Sequence, residues 1–387
     1  MSETPVHDGF GRGEYAARVE RVLARMDARQ LDALLVTAPE NTLYLCGYQT
    51  KAVFTFQFLL LHRSGAMQLV TREMEKVNAA RAAARGIVGG YTLYGDDQDP
   101  MQVAASAIRE VCGDRGRIGV ELASWTMSAG RHQDLVRCCP ALEWIDASAL
   151  VDRLRLVKSP AELAFVREAA SITDRISARA CAAVAPGVAE RDLARIILDG
   201  IVGEGSEYPG SWPNVLVGQR TGLIHAAWGD ETVGRNDLVT MEITGVRERY
   251  HAPVLSTIVV GTPEDAHERT AAALREAHAA AVAAIEPGRP AGVIDQAARA
   301  VLARHDCPAQ FARRSGYSFG TGFPPSWGAQ WQLALTSALD VVLEVGMTFH
   351  VVLVAHFADG RAMALGRTVA VLESGPECWT TGRILAA

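Results

Sequence analysis

The chain has 387 residues, of which 49% are hydrophobic and 21% are charged, and its formal net charge is -6. A chain of this length and hydrophobic content can bury the cores of two domains, whereas its mixed charges offer no basic stripe for nucleic acid or an anionic membrane. Seven cysteines without a CxxC pair predict reduced thiols rather than a disulfide framework.

The N-terminal sequence and the longest apolar run predict where the protein resides. The segment MSETPVHDGFGRGEY lacks the apolar core of a signal peptide. The run AVFTFQFLLLH is too short and too polar to span a bilayer. We therefore expect a cytoplasmic protein that has no membrane partner.

The first part of the chain alternates helix-like and strand-like segments. Helical spacing marks GEYAARVERVLARMDARQ, REMEKVNAARAAARG and MQVAASAIREVCGD. Strand-like runs are LDALLVTA, FTFQFLLLH, RIGVELA and LEWIDAS. This order predicts a small α/β domain over residues 1–154, in which helices cover a sheet.

The second part, residues 155–387, has a different rhythm. Ser159 suits a helix N-cap, Pro160 the first helical turn and Glu162 the capping-box position, so a long helix is predicted to begin at the domain junction. Helices then come in two long pairs, and strand-like runs follow each pair. The pattern predicts an α+β domain, built as a pseudo-duplication around one curved sheet.

Five motifs resemble the creatinase, prolidase and methionine aminopeptidase superfamily. They are VKSPAEL, GDETVGRNDLVTMEITG, AIEPGRPAGVIDQAARAVL, GYSFGTGFPPSWG and EVGMTFHVVLV, in the family's order. The resemblance covers essentially the whole chain and implies the pita-bread fold for the C-terminal domain. The hairpin segment MEITGVRERYHAP is similar to the metal-free branch that contains creatinase and ectoine hydrolase.

The same resemblance implies where metal ligands would stand. Peptidases of the superfamily hold two metal ions with two Asp, one His and two Glu. Those places fall here on Glu242, Pro253, Tyr317, Val352 and Gly366. Only one of the five can bind a metal ion, since proline and valine have no side-chain donor, and no HExxH spacing replaces the set. We therefore expect no metal site and no cofactor.

The branch resemblance also implies a catalytic pair. Substrates of that branch are already electrophilic cations, so a carboxylate, a proton carrier and a dry pocket are sufficient. Glu242 would hold the cationic carbon and either direct the attacking water or form a transient adduct. His225 stands at the place of creatinase's catalytic histidine. The alternatives are a solvent-facing Glu242 and a His225 that is an ordinary core residue.

Nine further residues are predicted to contact a small zwitterionic substrate. They are Tyr250, His251, His350, Tyr317, Trp327, Phe54, Gln57, Arg249 and Arg367. Arg249 or Arg367 would receive a substrate carboxylate through paired N–H donors. Structural roles remain open for several: Tyr250 and His251 could form a hydrogen-bonded pair, and Arg367 could point to solvent. Pro253 is expected at a bulge or strand end.

Three functions remain open. The first is a metal-independent hydrolase of a C–N bond in a small amidine, guanidine or amide compound. The second is an Xaa-Pro metallopeptidase, and the third is a divergent member that binds a ligand without turnover or acts in biosynthesis. Leu255, Ser256, Phe323 and Arg367 depart from the branch pattern, so weak activity on ectoine itself is expected. The resemblance further implies a homodimer in which the segment AVFTFQF contacts the partner's site.

Overall fold

The computed structural model describes residues 9–386, except residues 306, 308, 312, 313 and 329–332. The chain divides into two compact units, one ending at Arg155 and the other beginning at Leu156; the boundary predicted from sequence followed residue 154. No helix within the described ranges is long and apolar enough to cross a membrane.

The N-terminal unit is a mixed sheet with apolar cores on both faces. Its strands are β1 (Ala33–Val36), β2 (Phe58–His62), β3 (Met67–Arg72), β4 (Gly90–Tyr94), β5 (Gly116–Val120) and β6 (Leu142–Asp146). Its helices are α1 (Arg12–Ala28), α2 (Pro39–Cys46), α3 (Lys76–Ala84), α4 (Pro100–Cys112), α5 (Ala129–Cys138) and α6 (Leu150–Arg155). The strand order is β4-β3-β2-β1-β5-β6. Leu34 and Val36 join one core and Ala33 and Leu35 the other, as strand alternation requires.

Several elements of this unit differ from the sequence prediction. The predicted strand FTFQFLLLH was expected to start at Phe54, but β2 begins at Phe58, because a turn closed by a 3.0 Å hydrogen bond from Thr55 N to Ala52 O precedes it. Strands β3 and β4 and helix α5 were not predicted. The predicted architecture, helices covering a sheet, is nevertheless the one observed.

The C-terminal unit consists of two helix pairs and one long sheet. The helices are α7 (Pro160–Ala182), α8 (Glu190–Gly203), α9 (Asp265–Ala283) and α10 (Gly292–Leu302). The strands are β7 (Asn214–Val217), β8 (Leu238–Arg247), β9 (Tyr250–Val259), β10 (Gly316–Ser318), β11 (Thr348–His356), β12 (Ala362–Leu372), β13 (Gly375–Cys378) and β14 (Ile384–Ala386). The main order is β10-β11-β12-β9-β8-β7, all antiparallel, with β13 beside β12 and β14 beside β9.

Helix α7 begins at the capping box predicted from sequence. Ser159 N donates to Glu162 Oε2 at 2.9 Å, and Glu162 N donates to Ser159 Oγ at 3.2 Å. Two N–H groups at the helix start are thereby satisfied. The second carboxylate oxygen of Glu162 accepts a hydrogen bond from Tyr250, so the cap also ties α7 to β9.

The two faces of the C-terminal sheet have different environments. On one face, Met241 and Ile243 pack into a core with α7 and α8, and Val351 and Leu365 pack into a core with α9 and α10. Successive side chains of a strand point to opposite faces. Glu242, between Met241 and Ile243, therefore points to the opposite face, which we call the cavity face.

Candidate active site

One row of side chains crosses five strands on the cavity face. The strand register places each member directly opposite the next. In spatial order from β7 to β11 the row is Asn214, Glu242, Leu255, Gly366 and Val352. Three of the five places implied for metal ligands thus meet in one row, although they are far apart in sequence.

The neighbouring row holds the remaining two places. Thr244 pairs with Pro253 on the hairpin, and Thr368 pairs with His350, which pairs in turn with Tyr317. The Thr368 hydroxyl donates to the Pro253 carbonyl at 2.9 Å and links the two halves of the row. Pro253 lies inside β9 with unbroken register on β8, so the bulge or strand end expected there is wrong.

A cavity of about 390 Å³ opens on this face. Its polar and aromatic lining includes Asn214, His225, Glu242, Arg314, Tyr317 and Trp327. The volume lies in the range of small-molecule sites. Four of the residues predicted for the site, Glu242, His225, Tyr317 and Trp327, therefore border one space.

Glu242 occupies the floor of this cavity. It is 9% exposed, so the alternative of a solvent-facing position is contradicted. Its Oε2 accepts a hydrogen bond from Asn214 Nδ2 at 3.2 Å, and its Oε1 lies 3.3 Å from His350 Nε2. A carboxylate with few partners in a secluded cavity interacts strongly with a cation that enters it.

His350 reaches Glu242 across Gly366. The imidazole is fully buried, and neither ring nitrogen makes a well-aligned hydrogen bond to a described residue. A Cβ atom on Gly366 would lie 2.7 Å from Cε1 and 2.9 Å from Nε2 of His350. The glycine therefore leaves the space that the histidine ring occupies, at one of the places implied for a metal ligand.

Tyr317 and Trp327 form an aromatic wall beside this pair. The Tyr317 ring meets the His350 ring edge-on at 5.5 Å between centroids, and its hydroxyl accepts a hydrogen bond from Trp327 Nε1 at 2.9 Å. Burial, and then the negative charge of Glu242, raise the pKa of Tyr317. The phenol stays protonated at neutral pH and can donate a hydrogen bond.

His225 lies at the rim of the cavity. It is exposed while lining the cavity, which contradicts the alternative of a core histidine. Ile224, just before it, has φ 46° and ψ -50°, an unusual conformation for a β-branched residue. Such strained backbone is concentrated at functional sites. His225 N donates to Leu223 O at 2.5 Å, which holds the turn that presents the imidazole.

Arg249 does not line the cavity, contrary to the prediction. Its side chain is fully buried, with Nε and Nη2 donating to Gly322 O at 3.1 and 2.6 Å and Nη1 donating to Tyr208 O at 2.5 Å. The guanidinium also lies over the rings of Tyr208 and Phe323. Because backbone carbonyls occupy its donors, it holds the loops around the cavity.

Tyr250 and His251 also have internal partners rather than cavity positions. Tyr250 donates to Glu162 Oε1 at 2.7 Å and stacks on Phe165. His251 Nε2 accepts from Gly210 N at 2.9 Å, so its Nδ1 carries the proton and donates to Arg249 O at 2.9 Å. Burial and the Arg249 charge hold the pKa of His251 well below its usual value. His251 thereby fixes the loop that leads to the cavity.

Arg367 lies on the helix face of the sheet, and this corrects its predicted place in the pocket. It pairs directly with Val351, a member of the helix-side core, and its Nε donates to Gly382 O at 3.0 Å. Its charge helps to lower the pKa of His278 on α9, after burial. The adjacent Gly366 has the cavity-side position instead.

Phe54 and Gln57 belong to the N-terminal unit. Phe54 is 71% exposed, and Gln57 Oε1 accepts from the hydroxyls of Tyr48 and Thr71 at 3.2 and 3.3 Å. Their contact with substrate stays a prediction, as does the homodimer through which they would act. A monomeric mass by light scattering would contradict both.

Among the lining residues that the sequence prediction missed, Asn214 and Arg314 carry the polar groups nearest to predicted site residues. Asn214 sits directly opposite Glu242 and bonds to it, and Arg314 lies with its guanidinium carbon 5.0 Å from the centroid of the Tyr317 ring. Asn214 starts a short strand-like run and gave no motif signal. Arg314 is three residues before Tyr317, a spacing that carries no information until the strand is placed.

Comparison with known proteins gives the family. Residues 164–373 match the model of metallopeptidase family M24, and residues 18–157 match the creatinase/prolidase N-terminal domain. The chain belongs to this family. The resemblance to the creatinase, prolidase and methionine aminopeptidase superfamily is confirmed, and so is the combination of an α/β N-terminal domain with a pita-bread C-terminal domain. Membership of the metal-free branch stays a prediction.

Individual relatives span most of the chain. The ectoine hydrolase of Halomonas elongata is 29% identical over 384 residues, covering 95% of each chain. An uncharacterized hydrolase/peptidase of Sinorhizobium fredii is 30% identical and covers 88% of this chain and 89% of its own. The solved prolidase of Thermococcus sibiricus superposes with a TM-score of 0.84 at 21% identity, covering 96% of this chain and 99% of its own. That structural likeness concerns the fold.

The family name implies a metal site, and the residues on this face do not fit one. Glu242 is the acidic residue among the described residues that line the cavity. Pro253, Val352 and Gly366 present no side-chain donor at the places implied for ligands. Within the described part of the chain, no cluster of three or more His, Cys, Asp or Glu could hold a metal ion. The side chains at these places therefore do not form the ligand set of a two-metal site.

Proposed function

We propose that this protein hydrolyses a C–N bond of a small amidine, guanidine or amide compound without a catalytic metal ion. One observation carries the proposal: Glu242 and His225 border the same cavity, while Pro253, Val352 and Gly366 stand at three of the five places implied for metal ligands. The likeness to an ectoine hydrolase over 95% of both chains supports the same reaction class.

Glu242 supplies the charge in this mechanism. An amidinium or guanidinium group donates N–H bonds to the carboxylate, and its delocalised positive charge makes the central carbon electrophilic. Because Glu242 is largely withdrawn from water, its attraction for that cation is less screened than at the surface. Asn214 donates to one carboxylate oxygen and His350 lies 3.3 Å from the other, so both neighbours fix the position of the carboxylate in the cavity.

His225 moves the proton. Water adds its oxygen to the electrophilic carbon, the C–N bond breaks, and the leaving nitrogen takes a proton. The water gives one proton to His225 as its oxygen adds, and His225 donates that proton to the leaving nitrogen as general acid. The second proton of the water leaves to solvent through His225 when the carbonyl forms. The rim position of His225 suits exchange of that proton with solvent.

The aromatic wall and His350 position the reacting groups. Trp327 is buried, Tyr317 is partly buried, and the two are hydrogen-bonded to each other, so they give a fixed surface that shields Glu242 from water. His350 lies against the other carboxylate oxygen and sets the direction of Glu242. In this mechanism Tyr317, Trp327 and His350 position the reacting groups and do not take part in the bond changes.

The proposal is tested by turnover and metal content together. Purified protein is assayed against ectoine, hydroxyectoine, creatine and N-acyl diamino acids, with Xaa-Pro dipeptides as the opposing class, before and after chelation and elemental analysis. We expect C–N hydrolysis that survives the chelator. Chelator-sensitive cleavage of a dipeptide, with two metals per chain, would establish the metallopeptidase instead. Binding without turnover would favour the non-hydrolytic alternative.

A further inference from the structure

Arg314 is a charged residue of the cavity lining that the proposed mechanism does not use. It precedes β10, is exposed, and lies over the ring of Tyr317, with 5.0 Å from its guanidinium carbon to the ring centroid. It is the arginine among the described lining residues. Its fork of N–H donors therefore faces the same space as Glu242.

Tyr317 places the two opposite charges along one wall. Glu242 Oε1 lies 3.3 Å from His350 Nε2, and the His350 ring meets the Tyr317 ring at 5.5 Å between centroids. The guanidinium carbon of Arg314 lies 5.0 Å from the centroid of the same Tyr317 ring, so His350 and Tyr317 connect the two charges along the cavity lining. A ligand that spans the tyrosine ring would meet an anion at one end and a cation at the other.

Arg249 and Arg367, which were predicted for this role from the sequence, donate to backbone carbonyls instead. Arg249 donates to the carbonyls of Gly322 and Tyr208, and Arg367 donates to Gly382 on the far side of the sheet. A planar guanidinium is the side chain best suited to a carboxylate, which it holds through two parallel hydrogen bonds. Among the described lining residues, Arg314 is the one that carries a guanidinium group.

We infer that Arg314 receives a carboxylate of the substrate, so that the cavity selects small zwitterions with a cationic C–N centre at Glu242 and an anionic end at Arg314. The inference deepens the proposed function and rests on its assignment of the cavity as the substrate site. Because Arg314 is exposed at the rim, salt screens this contact more than the contact at Glu242.

Matched ligand pairs test the assignment directly. Binding of ectoine and creatine is measured by calorimetry beside their carboxamide counterparts, which keep the cationic centre and lose the negative charge. Wild-type protein should prefer each carboxylate by at least about tenfold. Arg314→Gln should remove the preference and leave carboxamide affinity unchanged, whereas Arg314→Lys should retain part of it, because it keeps the charge and loses the fork.

The control is Arg269→Gln, which removes the same charge from the exposed side of α9, away from the cavity lining. It should leave the carboxylate preference intact. An equal loss in Arg269→Gln and Arg314→Gln would show a general charge effect and overturn the assignment. Wild-type protein with no preference for any carboxylate would overturn it as well.

Turnover separates this inference from the proposed reaction. Carboxylate binding that depends on Arg314, without hydrolysis of any compound, would uphold the inference and contradict the hydrolase. Hydrolysis that needs Glu242 and is equally fast on carboxylate and carboxamide, with no effect of Arg314→Gln, would uphold the hydrolase and contradict the inference.

Discussion

One sequence motif covers two regions of the β8–β9 hairpin, the strand around Glu242 and the turn at Arg249. In the structure the two regions have different surroundings. In the strands, Glu242 faces the cavity and has a neighbouring amide and imidazole. At the turn, Arg249, Tyr250 and His251 are buried and bonded to loops and to α7. The motif E-x-x-G-x-x-x-R-Y-H therefore mixes a residue suited to a ligand with residues that hold the surrounding loops.

The two regions direct their side chains to different places because their backbone conformations differ. The turn residues Glu248 and Arg249 both have positive φ, 48° and 64°, so the chain reverses sharply and directs the Arg249 side chain inward. A buried guanidinium must satisfy its donors, and nearby carbonyls do this. Glu242 lies in mid-strand, where alternation alone fixes the face to which it points.

The largest expected effect is on catalysis at the strand region. Glu242→Gln keeps the volume and removes the charge, so kcat should fall at least about 100-fold, the usual cost of losing a positioned charge. The melting temperature should stay close to that of the wild-type protein. Unchanged turnover in the well-folded variant would show that the strand region is not the catalytic one.

His225→Ala is the second variant, and it should also reduce kcat because the leaving nitrogen loses its acid.

A change at the turn should act on stability instead. Arg249→Met leaves the carbonyls of Gly322 and Tyr208 without their donor, and loss of one member of a buried polar network costs about 3 kcal/mol. Urea unfolding would measure the loss. Arg247→Met is the matched control on the same hairpin, since Arg247 makes a partly exposed pair with Glu168 that contributes about 0–1 kcal/mol. If Arg249→Met and Arg247→Met lowered the free energy of unfolding equally, the stabilising role of the buried Arg249 would be contradicted.

The strand that carries Glu242 and the start of α7 could be predicted from local sequence, whereas β3 and β4 were missed and the face to which Glu242 points stayed open. Alternation in LVTMEI and the capping box at Ser159 are both local signals, and the structure contains the strand and the cap. The carbonyl partners of Arg249 are 41 and 73 residues away in the chain. No local pattern encodes a pairing over such distances, which is why Arg249 was predicted to contact substrate.

The row across the cavity face is a second case in which local sequence does not encode which residues become neighbours. Glu242, Gly366 and Val352 were related to one another by family motifs, but their adjacency with Asn214 depends on the register of four strand pairs. The same register places Arg367 on the helix face of the sheet, because it follows Gly366, which faces the cavity, by one residue. A shift of one position would have exchanged the two residues, because the side-chain period of a strand is two.

The smallest expected effect concerns the pH dependence of stability at the turn. His251 is neutral in the folded protein, since burial and Arg249 hold its pKa well below the usual 6.5. Below pH 6.5 the unfolded chain takes up a proton that the folded chain does not, so the folded state loses about 1.4 kcal/mol per pH unit from this residue. His251→Gln keeps an acceptor for Gly210 and removes the titrating group. The variant should be less stable than the wild-type protein at pH 7.5, and the gap should narrow as the pH falls toward 5. A gap that is constant across this range, measured by urea unfolding, would mean that His251 takes up its proton equally in the folded and unfolded states.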